Sequence, residues 1–378
     1  VKNKNVLQVI MKEDTQKLDE VVVVGYGSVD KKELTSAVTA VSSKDFLQGA
    51  FTSPLSMIDG KVSGVNVSNA AAADPNSSPN IQMRGASSIE AGNSPLVIID
   101  GMPGADLRSV ANQDIESITI LKDGSAPAIY GSRAANGVIL VTTRRGEQGK
   151  AKISISSNVS IQTPTRLIEN CDSYHTALYY NEKLDNDGSS KERFSDYALN
   201  AFRTGSDPVI YPNTDWRKYI FKDTYLQTQH NINVNGGTEK VKYFMSVGYL
   251  NQEGLYATKD INFSRYNFRS NISAKISKYL TADAQLSGHV QDKMAPYDDD
   301  TYIIHGITRM HPYYSPYAND EEGKHYGLTN FQNPLARSDA DVSGYRKERK
   351  KLFNGVFSLK YDMPFIPGLS AKVLFSYL

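Results

Sequence analysis

Val241-Lys242-Tyr243-Phe244-Met245-Ser246-Val247-Gly248-Tyr249 is the stretch on which the fold turns. Val241, Tyr243, Met245, Val247 and Tyr249 occupy every second position, with Lys242, Ser246 and Gly248 between them. A period of two places the first set on one face of a strand and the second on the other. The run extends over about 239–252, and the same alternation recurs at about 151–162, 225–236, 262–276, 280–292, 351–362 and 368–378. Segment 225–236 sets a polar row, Gln227, Gln229, Asn231, Asn233 and Asn235, against Leu226, Ile232 and Val234. Segment 280–292 puts Leu280, Ala282, Ala284, Leu286 and Val290 on one face. Any half-buried antiparallel sheet reads this way, a soluble sandwich included.

The connections separate these possibilities. They are long (163–224), short (237–238), medium (253–261), short (277–279), long (293–350) and short (363–367). Membrane barrels carry short periplasmic turns on one rim and longer external loops on the other. With the first strand running outward, every even-numbered strand ends in a short periplasmic turn, as this spacing requires. Tyr225, Tyr243, Tyr249, Tyr279, Tyr361 and Tyr377 suit an interfacial aromatic girdle. The expected fold is therefore a partial membrane β-barrel of about seven antiparallel strands over 149–378. Seven strands do not close an even-numbered barrel, and the sequence ends inside an alternating run, so it reads as part of a longer protein. Its first residue is Val1, which leaves room for an export signal upstream.

Composition agrees without deciding. The 378 residues are 40% hydrophobic and 22% charged with net charge +1, which points to neither disorder nor nucleic-acid binding. No run of 18 apolar residues marks a transmembrane helix. The lone Cys171 excludes an internal disulfide and a cysteine-based zinc site.

Residues 30–148 have a different texture, mixed α and β, with Val- and Ile-rich strands expected at 62–68, 79–84, 96–100, 117–122 and 137–143. Short helical pieces fall near 53–58, 112–115 and 126–130, and Asp-Gly pairs at 59–60, 100–101 and 123–124 mark turns. Val21-Val22-Val23-Val24-Gly25-Tyr26-Gly27 invites a dinucleotide-binding reading, but Asp30 stands where the third glycine belongs, a carboxylate facing the expected pyrophosphate. A buried parallel strand is another reading of the four valines.

A third rests on resemblance. Asp19-Glu20 followed by Val21–Gly27 is similar to the energy-coupling segment of the SusC/RagA-like family of TonB-dependent transporters. Further motifs follow in that family's order: Asn80–Gly85, Pro95–Pro103, Ile115–Asp123 and Ala128–Ile139, then Asn213–Trp216 and Ser246–Gly254. The resemblance is close over 18 to about 295 and looser beyond. Gly124 and Pro127 interrupt a stretch that is helical in the family, so a shortened helix is expected there.

The resemblance implies an organisation and a set of roles. Residues 1–17 are the end of an upstream regulatory-like domain, 18–29 the TonB-coupling segment and 30–148 a plug inside a barrel of about 22 strands. Asp19, Glu20, Val21, Val22, Val23 and Val24 form an unpaired strand that adds to TonB, which is energised by its inner-membrane complex. Arg84, Gly85, Asp100, Gly101, Tyr130, Gly131, Arg133, Asn136 and Gly137 belong to the plug motifs. Both arginines are candidates for ion pairs with plug or wall carboxylates. The expected cargo is an oligosaccharide or a peptide, taken up across the outer membrane of a Gram-negative bacterium with a SusD-like surface lipoprotein as lid. The loops offer Trp216, Tyr313, Tyr314 and Tyr317 as ligand contacts or loop-ordering residues. A receptor that signals with little transport is the alternative. No catalytic residue, metal or cofactor is expected, since the six histidines lack helical metal-site spacing. Asp298, Asp299 and Asp300 read as a solvated acidic turn before a cation site.

Overall fold

The computed structural model describes residues 21–24, 27–30, 38–68, 75, 79–83, 94–122, 127–167, 169–318, 325–329, 332–366 and 368–377. Among the described residues, nine strands precede residue 149: β1 (Val21–Val24), β2 (Gly27–Asp30), β3 (Val38–Ser42), β4 (Val65–Ser68), β5 (Asn80–Met83), β6 (Leu96–Ile99), β7 (Met102–Pro103), β8 (Ile115–Leu121) and β9 (Val138–Thr143). Strands β3-β8-β9-β6-β7 make one sheet in that order, antiparallel except for the β6–β9 pair. Val138-Ile139-Leu140-Val141 is apolar at every position because the sheet is covered on both faces. Ile139 and Val141 enter a core with Ile99, Ile118 and Ile120, while Val138 and Leu140 enter another with Leu96, Ile98 and Leu121. Gly137 precedes β9 at φ 93°, and a Cβ there would collide with Met83 Cε and the Leu121 carbonyl. Strand β3 is too short and too mixed in polarity to announce itself. Residues 127–134 form a 3₁₀ helix broken at Gly131 (φ 70°, ψ −160°), the shortened element that Pro127 implies.

The coupling segment departs from expectation. Asp19 and Glu20 lie outside the described residues, but the four valines are paired, not free. Strands β1 and β2 form an antiparallel hairpin with Val21 opposite Asp30 and Val24 opposite Gly27. A two-residue connection joins them, the shortest link that lets one strand satisfy the other's main-chain groups. One edge of β1 is thereby occupied, and the other has no partner among the described residues. A strand follows Gly27 where a dinucleotide site requires a helix.

The second half is a seven-stranded antiparallel meander: β10 (Gly149–Gln162), β11 (Tyr225–Gly237), β12 (Val241–Glu253), β13 (Asn262–Lys275), β14 (Leu280–Pro296), β15 (Tyr345–Asp362) and β16 (Ser370–Tyr377). Pairing puts Ile155, Ile232, Val247, Phe268, Gly288 and Phe353 at one level across the wall. This outward face is apolar yet open: Met245 is 45% and Val247 63% exposed. The opposite face is polar yet buried, with Gln229, Asn231, Ser246, Asn267, Arg269 and His289 against the plug. A soluble sheet has the reverse polarity; only lipid outside and a polar filling inside account for both faces. No helix among the described residues is long and apolar enough to cross a membrane.

The long connections are folded. The first carries α1 (Ser173–Asn186), α2 (Asp196–Thr204) and α3 (Trp216–Ile220). The second carries α4 (Asp300–Arg309), α5 (Pro334–Ser338) and α6 (Ala340–Ser343). The second is shorter than 293–350, because β14 runs on to Pro296 and β15 starts at Tyr345. Residues 345–351 are charged on both faces, which hides their strand period, and yet they pair in register with 290–296.

On the outward face, Met245→Arg should destabilise the assembled barrel by about 2–4 kcal/mol, measured by denaturant titration in detergent or bilayer. Lys242→Leu, on the inward face, should be nearly neutral. The reverse order would mean that the two faces are exchanged.

Candidate functional site: the seam between plug and wall

Strand β13 supplies most of the seam. Its inward positions recur every second residue, and each touches the plug at a different height. Arg265 Nη2 donates to the Thr52 carbonyl at 3.2 Å, and Asn267 Nδ2 to the Ser109 carbonyl at 3.2 Å. Arg269 Nη1 donates to Asp100 Oδ2 at 3.2 Å, and Asn271 Nδ2 to the Arg144 carbonyl at 2.7 Å and Thr143 Oγ1 at 3.1 Å. Strands β11 and β12 add Gln229 Nε2 to Gln113 Oε1 at 3.1 Å and Ser246 Oγ to Asp114 Oδ2 at 2.5 Å. The apolar share is small: Val356 of β15 and Leu374 of β16 pack into the plug core.

Asp100 is the hub. It sits with Gly101 in the two-residue turn between β6 and β7, where Ile99 pairs with Met102. Both turn residues have positive φ, 51° and 90°, the conformation that makes Asp-Gly the favoured pair in such hairpins. The turn lifts the carboxylate out of the sheet. Thr143 N–H and Oγ1 donate to it at 3.0 and 2.6 Å, and Arg145 Nη2 approaches at 3.3 Å. Asp100 and Arg269 are 3% and 4% exposed, so this is a buried ion pair. Such a pair adds little net stability, but removing one partner strands the other at a cost of roughly 3–5 kcal/mol.

Asp114 is the second buried carboxylate. Burial pushes its carboxyl above the ordinary aspartate range, against the Ser246 hydrogen bond and the charges of Arg269 and Arg144. Near the top of the plug, burial pushes Asp106 up, but the fork from Arg108 Nε and Nη2 outweighs it and holds this carboxyl below the ordinary range.

The other expected residues are scattered. Arg84 and Gly85 lie outside the described residues. Arg133 is exposed and lies over Gly104, where a Cβ would come within 3.0 Å of its Nη2. Tyr130 and Asn136 are half-buried in the plug, Tyr130 against the cluster of Leu96, Ile98 and Leu121. Trp216 is 1% exposed, and its indole N–H donates to the His311 carbonyl at 3.1 Å. It anchors one external loop to the other and presents no face to a ligand, because packing of the loop core claims it. Tyr313 is half-buried, stacked on His311 at 4.9 Å and 5.0 Å from Tyr314. Burial pushes its phenol up to about 12. The acidic triplet is engaged residue by residue: Asp298 takes both arms of Arg337, Asp299 caps α4, and Asp300 accepts from Tyr256. Among the described residues no group of three His, Cys, Asp or Glu side chains could hold a metal ion.

A wall that is apolar outside and polar within, with a folded domain seated on its inner face, defines a plugged outer-membrane β-barrel. Residues 30–138 match the family model described as TonB-dependent Receptor Plug Domain. The chain is 32% identical over 352 residues to TonB-dependent receptor SusC of Bacteroides thetaiotaomicron, an alignment covering 87% of this chain and 32% of that protein. It is 36% identical over 273 residues to a TonB-dependent receptor of Formosa agariphila, covering 70% and 26%. It thus spans about a third of these relatives' length or less. The structure of the RagAB peptide transporter superposes with TM-score 0.69 at 25% identity, covering 90% of this chain and 40% of that one. The RagAB peptide importer in its open-open state gives TM-score 0.70 at 24% identity, over 94% and 42%. The chain belongs to the SusC/RagA-like TonB-dependent receptors and comprises the plug and part of the barrel. These receptors are Gram-negative outer-membrane proteins.

Asp114 should make the seam sensitive to pH. A raised carboxyl pKa contributes stability below the ordinary aspartate value, and that contribution is lost as pH rises through the folded-state value. Asp114→Asn should therefore raise the melting temperature of the full-length receptor at pH 7 and change it less at pH 4. Equal Tm changes at both would show that the carboxyl titrates normally.

Proposed function

We propose that the complete receptor imports a nutrient across the outer membrane, with the plug as a gate opened by TonB. The observation that carries this is the seam: among the described residues, a folded domain is held on the inner wall by hydrogen bonds and one ion pair, with few apolar contacts. Net protein hydrogen bonds are worth only about 0.5–1.5 kcal/mol each, because water replaces them. A seam of this kind gives way to a directed pull more readily than an apolar one. The outer membrane holds no ATP, so the pull must come from the inner membrane. Residues 19–24 are the handle in this reading, and the free edge of β1 is where a strand of TonB would add through main-chain hydrogen bonds.

The cargo we favour is an oligosaccharide, as the resemblance of the sequence motifs to the family implies; a peptide is second, supported by the RagAB superposition. A SusD-like surface lipoprotein would sit over the external loops as a lid. A signalling receptor with little transport is the remaining reading, and an additional N-terminal signalling domain would favour it.

Deleting Asp19–Val24 from the full-length receptor should leave barrel assembly and ligand binding intact and abolish uptake of labelled cargo. Uptake at the normal rate by that variant would refute the proposal.

A further inference from the structure

Two arginines converge on one carboxylate where the top of the plug meets the wall. The carboxylate is Asp106, at the head of the 3₁₀ turn Leu107–Ser109. Its Oδ1 accepts from the Arg108 N–H at 2.9 Å and from Arg108 Nε at 3.0 Å, and its Oδ2 accepts from Nη2 at 2.8 Å. Asp106 is therefore taken up within the plug. Asn267 ties the turn to the wall by donating to the Ser109 carbonyl. Arg265 lies two residues along β13 on the same inward face, and His289 faces Asn267 across the β13–β14 pair.

Arg265 has the harder environment. It is 2% exposed, yet its Nε and Nη2 meet only neutral acceptors, Asn267 Oδ1 and the Thr52 carbonyl, each at 3.2 Å. Among the described residues no carboxylate comes within ion-pair distance of it. His289 is buried beside it, and its Nδ1 has no hydrogen-bond partner. A buried guanidinium without a counter-charge is costly. Asp106 is near enough for its charge to act on both Arg265 and His289, but Arg108 holds it. Strand β13 already lies between β12 and β14, so the missing charge is not one that an adjoining strand would bring.

The open end of this arrangement is Arg108. Its side chain is 25% exposed and that of Asp106 35%. They face the lumen, where Glu348 on the inward row of β15 lies within reach of the Arg108 charge. Arg265 is at the covered end. Two guanidiniums with one carboxylate between them leave room in the charge balance for one more anion, and it can enter only at Arg108.

We infer that Arg108 binds an anionic group of the cargo, the carboxylate or sulfate of an acidic sugar unit, and that Asp106 then passes to Arg265. A guanidinium meets such oxyanions through two parallel N–H bonds. The Arg108 N–H keeps Oδ1 while Oδ2 changes partner, so the exchange involves side chains and leaves the backbone in place. Cargo binding at the top of the plug thereby adds an ion pair between plug and wall. Calling the anion's carrier a cargo rests on the import reading; the exchange of partners does not.

The test uses the full-length receptor in detergent. A high-resolution structure of the Arg108→Gln variant should show Asp106 on Arg265 with no ligand added. In titration calorimetry the unaltered receptor should bind glucuronate or glucose 6-sulfate about tenfold or more tightly than glucose. The tighter of the two acids identifies the anion. Arg108→Gln should lose the preference and keep the glucose affinity. Arg265→Gln leaves Arg108 in place but gives Asp106 nowhere to go, so the preference should fall there too. Asp106 away from Arg265 in the Arg108→Gln structure would overturn the inference. So would equal binding of glucose and both acids, or a preference that survives Arg108→Gln. Tighter binding of an aspartyl-glutamate dipeptide than of either acidic sugar would overturn the sugar assignment. None of these readouts involves uptake, so uptake without residues 19–24 would sink the import reading and leave them standing.

Discussion

Arg269 and Asp100 meet between the plug and the wall, whose apolar contact rests on Val356 and Leu374. The carboxylate belongs to a tight Asp-Gly turn of the plug, and the guanidinium belongs to the middle of a wall strand. Neither charge tolerates burial alone. The plug therefore has one seat on this wall, and the hydrogen bonds of Arg265, Asn267 and Asn271 follow in register above and below it. The polarity of the wall follows as well. A sheet whose inner face must meet a polar plug surface and whose outer face meets lipid is inverted relative to a soluble one.

That inversion made the barrel legible in the sequence. Every second residue changes character, and the strands found lie within a few residues of the segments expected from alternation. It failed where both faces are solvated: residues 345–351 carry charge on both sides and show no period. The two external loops hid their helices for a related reason. Their apolar residues are spent on a shared core around Trp216, Ile303 and Ile307, and that core is assembled from two segments distant in sequence.

The site was less legible than the fold. Asp100 and Gly101 stood out through a turn motif, and the turn explains them. Its partner Arg269 did not, although Arg265, Asn267, Arg269 and Asn271 at alternate positions were a visible polar row. Asp114 carried no signal, because only the fold brings it to Ser246. Trp216 read as a ligand contact or a loop-ordering residue, and its burial in the shared loop core fits the second role. The valines of β1 read as a free strand, whereas the chain reversal after Val24 lets β2 cover one edge.

The central claim is that the wall holds the plug through the Asp100–Arg269 pair. A double-mutant cycle in the full-length receptor, Asp100→Asn against Arg269→Gln, measures this with the denaturant stability of the plug–barrel assembly. Each single change should destabilise and the double change should cost less than their sum, with a coupling of about 1–3 kcal/mol. Additive losses, with no coupling, would mean that the two residues act independently and that the plug is seated elsewhere.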